Sequence, residues 1–185
     1  DYAATMEDLA ALLGSSGGPG GGPGGGPGNV DLDEDPMYVP VTVEFNGQTW
    51  WHVGMRYKGN SSLRSAYSQG IRKLPFRFNF DKFEDDYPEI DNQRFHGFKK
   101  MTFSSGFKDD SLIRDKLGAD LFRDFGVPAA RSAFVRVYVD FGEGETYFGM
   151  YTMVEAPSDE MLGVQFADDT GNLYKPEGDG ATWGT

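Results

Sequence analysis

Val41-Thr42-Val43-Glu44-Phe45-Asn46-Gly47-Gln48-Thr49-Trp50-Trp51-His52-Val53-Gly54-Met55-Arg56-Tyr57 is the stretch that decides the fold. Val41, Val43 and Phe45 alternate with Thr42 and Glu44, the period-2 pattern of a strand with one wet face. Asn46-Gly47 tolerates the positive φ angles of a tight hairpin turn. Trp51, Val53, Met55 and Tyr57 then alternate on the returning strand. A third strand follows, with Leu74, Phe76, Phe78 and Phe80 on one side and Lys73, Pro75, Arg77 and Asn79 on the other. Pro75 has no N–H to donate, which places it near that strand's start or at an edge. Phe98 to Ser104 reads as a fourth strand with Met101 and Phe103 turned inward.

Beyond this β-rich block the period changes. Ile113, Leu117, Leu121 and Phe125 recur every four residues, which predicts a helix over 110–125. Asp109 or Asp110 can cap its start, Gly126 suits its C-terminal turn, and Pro128 lies just past it. Its apolar stripe is expected against Phe76, Phe78, Val135 and Val137. Ala133, Val135, Val137 and Val139 alternate next, a Gly-rich turn spans 141–144, and 146–155 returns as a second hairpin. Residues 162–174 show no clear period. The expected fold is α+β, a mostly antiparallel sheet with one packed helix.

The flanks read differently. Met6, Leu9, Ala10 and Leu13 share one face of a short helix within residues 1–14. Residues 15–36 form a Gly/Pro-rich and then acidic linker, because Gly-Gly-Pro-Gly repeats carry no side chain to bury. The globular part is expected over 37–185. Asp31, Asp33, Glu34 and Asp35 have a calcium-like spacing but lack the Gly and distal Glu of an EF-hand loop. The chain does not start with Met and carries no signal peptide, which reads as a piece of a longer polypeptide.

Charge and composition narrow the function. The 185 residues carry a net charge of -12, which argues against nucleic acid as a partner. There is no cysteine, so thiolate chemistry and disulfides are excluded. No apolar run is long enough for a membrane span. Against that acidic background the 36 residues from Phe45 to Phe80 contain no Asp or Glu but hold Arg56, Lys58, Arg64, Arg72, Lys73 and Arg77. Such a stretch serves either as a site for an anion or as a basic face that pairs with the acidic remainder. Within it, Arg56 and Lys58 lead into Gly59-Asn60-Ser61-Ser62, a small polar turn of the kind that offers N–H groups and hydroxyls to phosphate oxygens. Two Asp-Phe-Gly triplets, at 124–126 and 140–142, spell a kinase metal motif, but one closes a helix and the other turns a hairpin. His52 and His96 lie among aromatics and read as packing residues.

Several of these segments, taken in order, resemble the CotH kinase family, atypical protein kinases named for a spore-coat protein. They are Val53-Gly54-Met55-Arg56-Tyr57-Lys58-Gly59-Asn60-Ser61-Ser62, Lys73-Leu74-Pro75-Phe76-Arg77, Ser111-Leu112-Ile113-Arg114-Asp115-Lys116-Leu117 and Leu121-Phe122-Arg123-Asp124-Phe125-Gly126-Val127-Pro128. Tyr147-Phe148-Gly149-Met150-Tyr151-Thr152-Met153-Val154-Glu155 and Asn172-Leu173-Tyr174-Lys175-Pro176 complete the set. The resemblance implies the small lobe of an atypical kinase, truncated before its metal segment. It implies ATP with Mg²⁺ or Mn²⁺, transfer of the γ-phosphate to Ser/Thr hydroxyls of a protein, and a secreted, cell-surface or spore-coat location. Arg56, Lys58, Asn60, Ser61 and Ser62 match the family's turn over the phosphates. Lys73 matches the third-strand lysine that neutralises α/β-phosphate charge, with Lys99 or Lys100 as alternatives. Glu155 matches the segment beside the adenine, and Arg114 a position near the helix start. The family's tryptophan–aspartate metal segment has no match, which leaves the metal ligands unknown, with acids near Asp168, Asp169 and Asp179 as the remaining carboxylates. A non-catalytic surface or spore-coat module that keeps the fold is the alternative function.

Overall fold

The computed structural model describes residues 2–14, 35–59 and 61–174, so most of the Gly/Pro-rich linker, Asn60 and the C-terminal eleven residues lie outside it. Six strands form one antiparallel sheet: β1 (Val39–Phe45), β2 (Gln48–Tyr57), β3 (Phe76–Asn79), β4 (Lys100–Ser104), β5 (Ser132–Asp140) and β6 (Glu145–Glu155). Their order is β1-β2-β3-β4-β6-β5. The helices are α1 (Tyr2–Gly14), α2 (Ser61–Ser68), α3 (Arg114–Asp124) and α4 (Asp159–Gln165). The α+β class, the two hairpins and the antiparallel pairing agree with the sequence reading, and the arrangement is compatible with a kinase-like small lobe.

The first hairpin departs from simple alternation. Val41 pairs with Val53 and Val43 with Trp50, so Thr42 faces both Trp51 and His52. This is a β-bulge, and His52 takes a φ of 52° to make it. The extra residue shifts the phase of β2. Trp50 therefore points inward at 3 % exposure and Trp51 outward at 57 %, the reverse of the alternation read from the sequence.

Tyr57, Phe76, Phe103 and Met153 form one cross-strand row, and Met55, Phe78, Met101 and Glu155 the next. This apolar face carries the core. Leu9 of α1 and Leu63 and Ala66 of α2 are fully buried in the same cluster as Trp50, Val53, Leu74, Phe80 and Tyr151. Ring contacts run through it, with Phe76 stacked on Phe103 at 4.5 Å and edge-on to Tyr151 at 5.1 Å. The α2 helix differs from the expectation of a polar turn at 59–62, since Ser61 and Ser62 open a helix. Its apolar residues Leu63, Ala66 and Tyr67 nonetheless have the i, i+3, i+4 spacing of a helix face.

The third helix corrects two expectations. It begins at Arg114, not at 110. The Asp109 carboxylate accepts the N–H of Ser111 and of Arg114, and Leu112 adopts a φ of 59°, which keeps 109–113 out of the helix. Its C-terminus is as expected: Gly126, at φ 76°, donates to the Arg123 carbonyl, and Val127 to that of Phe122. The packing is not. Leu117 is 48 % exposed and Phe125 83 %, and Ile113 and Leu121 are exposed as well. The helical residues that pack into the core on the apolar side of the sheet are Leu9 of α1 and Leu63 and Ala66 of α2, and the α3 stripe is not among them. Instead α3 lies beside β5 and ties to its approach through Arg123, which donates to the Ala130 carbonyl.

Lys73 also lies outside the strand it was assigned to. β3 starts at Phe76, and Pro75 sits immediately before it, where its missing N–H removes no ladder bond.

Candidate functional site

Lys73 is carried by the segment between α2 and β3. Its ammonium donates to the Ser105 carbonyl at 2.8 Å and lies over the Tyr151 ring, 5.1 Å from the centroid. Tyr151 is fixed beneath it, fully buried, with its hydroxyl donating to the Leu74 carbonyl at 3.0 Å. Burial pushes the Tyr151 hydroxyl pKa up and the Lys73 pKa down. Lys73 belongs to no ion pair among the described residues. It is a partly desolvated cation without a carboxylate.

A second bulge makes room for it. Val137 pairs with Gly149 but Tyr138 with Tyr147, so Phe148 is the extra residue on β6. Gly149 has a φ of 144°. A Cβ added there would stand 3.1 Å from Lys73 Cε and 3.2 Å from Cδ. The lysine stem thus crosses β6 where there is no side chain.

Around Lys73 is an open cavity of about 340 Å³ lined by Gln69, Ile71, Lys73, Ser105, Gly106, Phe107 and Lys108. That volume is at the low end of small-ligand pockets, about 300–1,000 Å³. Two ammonium groups and no acid line it. Arg114 braces the wall from behind by donating to the Lys108 carbonyl at 3.3 Å. Its lining carries positive charge and no counter-charge.

The other residues singled out in the sequence fall elsewhere. Arg56 is the cross-strand partner of Arg77, on the sheet face opposite Tyr57 and Phe76. It is buried, ion-paired to Asp35 and stacked on Tyr38. The Lys58 N–H donates to the Pro75 carbonyl at 2.9 Å, which sets the Lys58-Gly59 turn two residues from Lys73. Ser62 Oγ would lie 2.8 Å from a Cβ on Gly59, but neither residue lines the cavity. Asn60 and the Ser61 side chain lie outside the described residues. Glu155, 2 % exposed at the end of β6, is bound through both oxygens by Arg131, at 2.9 and 3.1 Å. Arg131 in turn stacks on Phe98 at 4.6 Å. Lys99 pairs with Asp81 at 3.0 Å, and Lys100 pairs with Asn79 on the Arg56 face, so Lys73 alone among the candidate lysines reaches the cavity.

Sequence reasoning missed Gln69, Ile71, Lys108, Gly149 and Tyr151. Gly149 had a legible signal, because a glycine inside a strand marks a bulge or a close approach. The cavity wall at 105–108 had none, since it is a loop brought to Lys73 only by the β3–β4 pairing.

Among the described residues no three His, Asp or Glu side chains gather at one place. The Glu155 oxygens are taken by Arg131, the Asp140 Oδ1 caps Gly142 and Gly144, and the Asp168 Oδ1 binds Thr170. Both Asp-Phe-Gly triplets are structural, one at the α3 C-terminus and one in the β5–β6 turn. His52 stacks flat on Tyr87 at 3.6 Å, and His96 lies edge-on to Trp50 at 5.7 Å, both packing roles.

Residues 55–183 of the chain match the family model for the CotH kinase protein. No curated protein matches the chain.

Proposed function

The chain belongs to the CotH kinase protein family, and from that premise we propose that it is the nucleotide-facing part of an atypical protein kinase. The reaction moves the γ-phosphoryl group of ATP to a Ser/Thr hydroxyl of a secreted, cell-surface or spore-coat protein. The β–γ bridging P–O bond breaks, the bond to the acceptor oxygen forms, ADP leaves and the hydroxyl proton is released. The observation that carries this reading is Lys73: a cation with no carboxylate, braced by Ser105 and Tyr151, facing an acid-free cavity.

In this reading Lys73 neutralises charge on the phosphate chain, where such a contact counts most in a partly dry site. Lys108 supplies a second cation from the facing loop. Ile71 and Phe107 give the open cavity an apolar wall. The divalent metal, which would neutralise further phosphate charge when bound, is not held by the described residues, and Mg²⁺ and Mn²⁺ are equal candidates for it.

The test is ATP binding to this chain by calorimetry, with and without Lys73→Ala. Binding is expected to be weak, because a chain of net charge -12 repels a triphosphate. Lys73→Ala should abolish it while leaving the circular dichroism spectrum unchanged. Equal binding by both proteins overturns the assignment. Transfer from labelled ATP to a Ser/Thr-rich protein, measured on this chain and on one extended past residue 185, tests the catalytic half. The exposed α3 stripe favours a second reading, a non-catalytic interaction module, and absence of transfer in both chains would select it.

A further inference from the structure

Arg56 on β2 and Arg77 on β3 stand directly opposite each other. Like charges directly opposite each other on a sheet are destabilising, and an anion bound between them would relieve that repulsion. The row continues through Thr102 on β4, Val154 on β6 and Ser132 on β5. Neighbouring rows pair Asn79 with Lys100 and Ser104 with Thr152. These paired positions hold three cations and four hydroxyls, and no carboxylate. Arg77 and Lys100 form no ion pair among the described residues. Arg56 Nε and Arg77 Nε are both buried without a hydrogen-bond partner. Arg56 is buried and Arg77 half-buried; an unmade donor on a buried Nε is costly, and the planar fork of a guanidinium matches the oxygens of a phosphate or carboxylate.

One carboxylate does reach this row. Asp35 pairs with Arg56 from the segment before β1, and its side chain is 78 % exposed. An exposed acid held by a buried arginine is a replaceable occupant. We propose that the Arg56–Arg77 row is a phosphate-type oxyanion site on the sheet face opposite Lys73, for which Asp35 is a built-in competitor. This site is separate from the nucleotide reading, because Lys73 lies over Tyr151 on the other face. The anion comes either as free phosphate or as a phosphorylated side chain.

The experiment is an NMR titration of the arginine Nε–H signals in the full chain, with inorganic phosphate and with O-phosphoserine, at ionic strength held constant by chloride. A saturable shift at Arg77 is expected. It should vanish in Arg77→Gln and survive in Lys73→Ala, which distinguishes this site from the nucleotide cavity. Asp35→Asn should tighten binding by at least about five-fold, the upper end for an exposed ion pair, because the arginine of this pair is buried. Arg77→Lys, which keeps the charge and loses the fork, should bind more weakly than the parent. Tighter binding of O-phosphoserine assigns the site to a phosphorylated side chain, and tighter binding of phosphate to the free ion. Shifts that chloride reproduces, or that persist in Arg77→Gln, overturn the proposal.

Discussion

Replacing Gly149 by alanine perturbs both the backbone and Lys73, and the two effects are separable. At φ 144° a residue with a Cβ is strained, at a cost of about 1–3 kcal/mol. The new methyl would also stand 3.1 Å from Lys73 Cε and 3.2 Å from Cδ, whereas carbon–carbon contacts settle at about 3.5–4.0 Å. The lysine stem is flexible, so it gives way instead of the sheet. The stability loss is therefore the backbone term, about 2–4 °C in Tm per kcal/mol for a chain of this length. Displacing the stem draws the ammonium off the Ser105 carbonyl and the Tyr151 ring into water. The Lys73 pKa should then rise back toward 10.5, from which burial now lowers it. Gly97→Ala is the control: φ is 92° there and nothing lies within 4 Å of the added carbon. Urea unfolding followed by tryptophan fluorescence, and an NMR titration of the lysine side chains, read the two effects. Both variants should lose similar stability, and only Gly149→Ala should move Lys73. An unmoved Lys73 titration in Gly149→Ala would refute the claim that the glycine seats the lysine.

Leu63→Ala should cost about 2–5 kcal/mol by urea unfolding, as for a fully buried leucine, whereas Leu117→Ala, on the exposed stripe, should cost less than about 1 kcal/mol. The reverse order would mean that α3, not α2, covers the sheet. Tyr151→Phe leaves the Leu74 carbonyl buried without its donor and should cost about 1–3 kcal/mol in the same assay. Because burial lowers the Lys73 pKa, the unfolded chain holds more protons than the folded one between the lowered value and 10.5. Lys73 therefore makes stability rise with pH across that alkaline window, and Lys73→Met should flatten the rise in a pH series of thermal melts.

Much of the sheet was legible because each strand carries its own period. Asn46-Gly47, the alternating valines of β5 and the phenylalanines around β3 need no distant partner to be read. Gly126 likewise marks the end of α3 by local geometry alone. The same locality explains the errors. The bulge at His52 arises from pairing two residues against Thr42, and it reverses the roles of Trp50 and Trp51. The α3 stripe has the period of a buried helix, yet which helix reaches the core is decided in three dimensions, and there it is Leu9, Leu63 and Ala66 that do. The candidate site divides in the same way. The acid-free basic stretch and the residues resembling CotH kinases, Lys73 among them, are written in the chain. Which of those cations meet is not. Lys73 precedes β3, so strand alternation does not set its side: its stem passes Gly149 to the Tyr151 face, while Arg56 stays with Arg77 on the other face, and Ser105, Lys108, Gly149 and Tyr151, distant in sequence, come to the lysine through strand pairing.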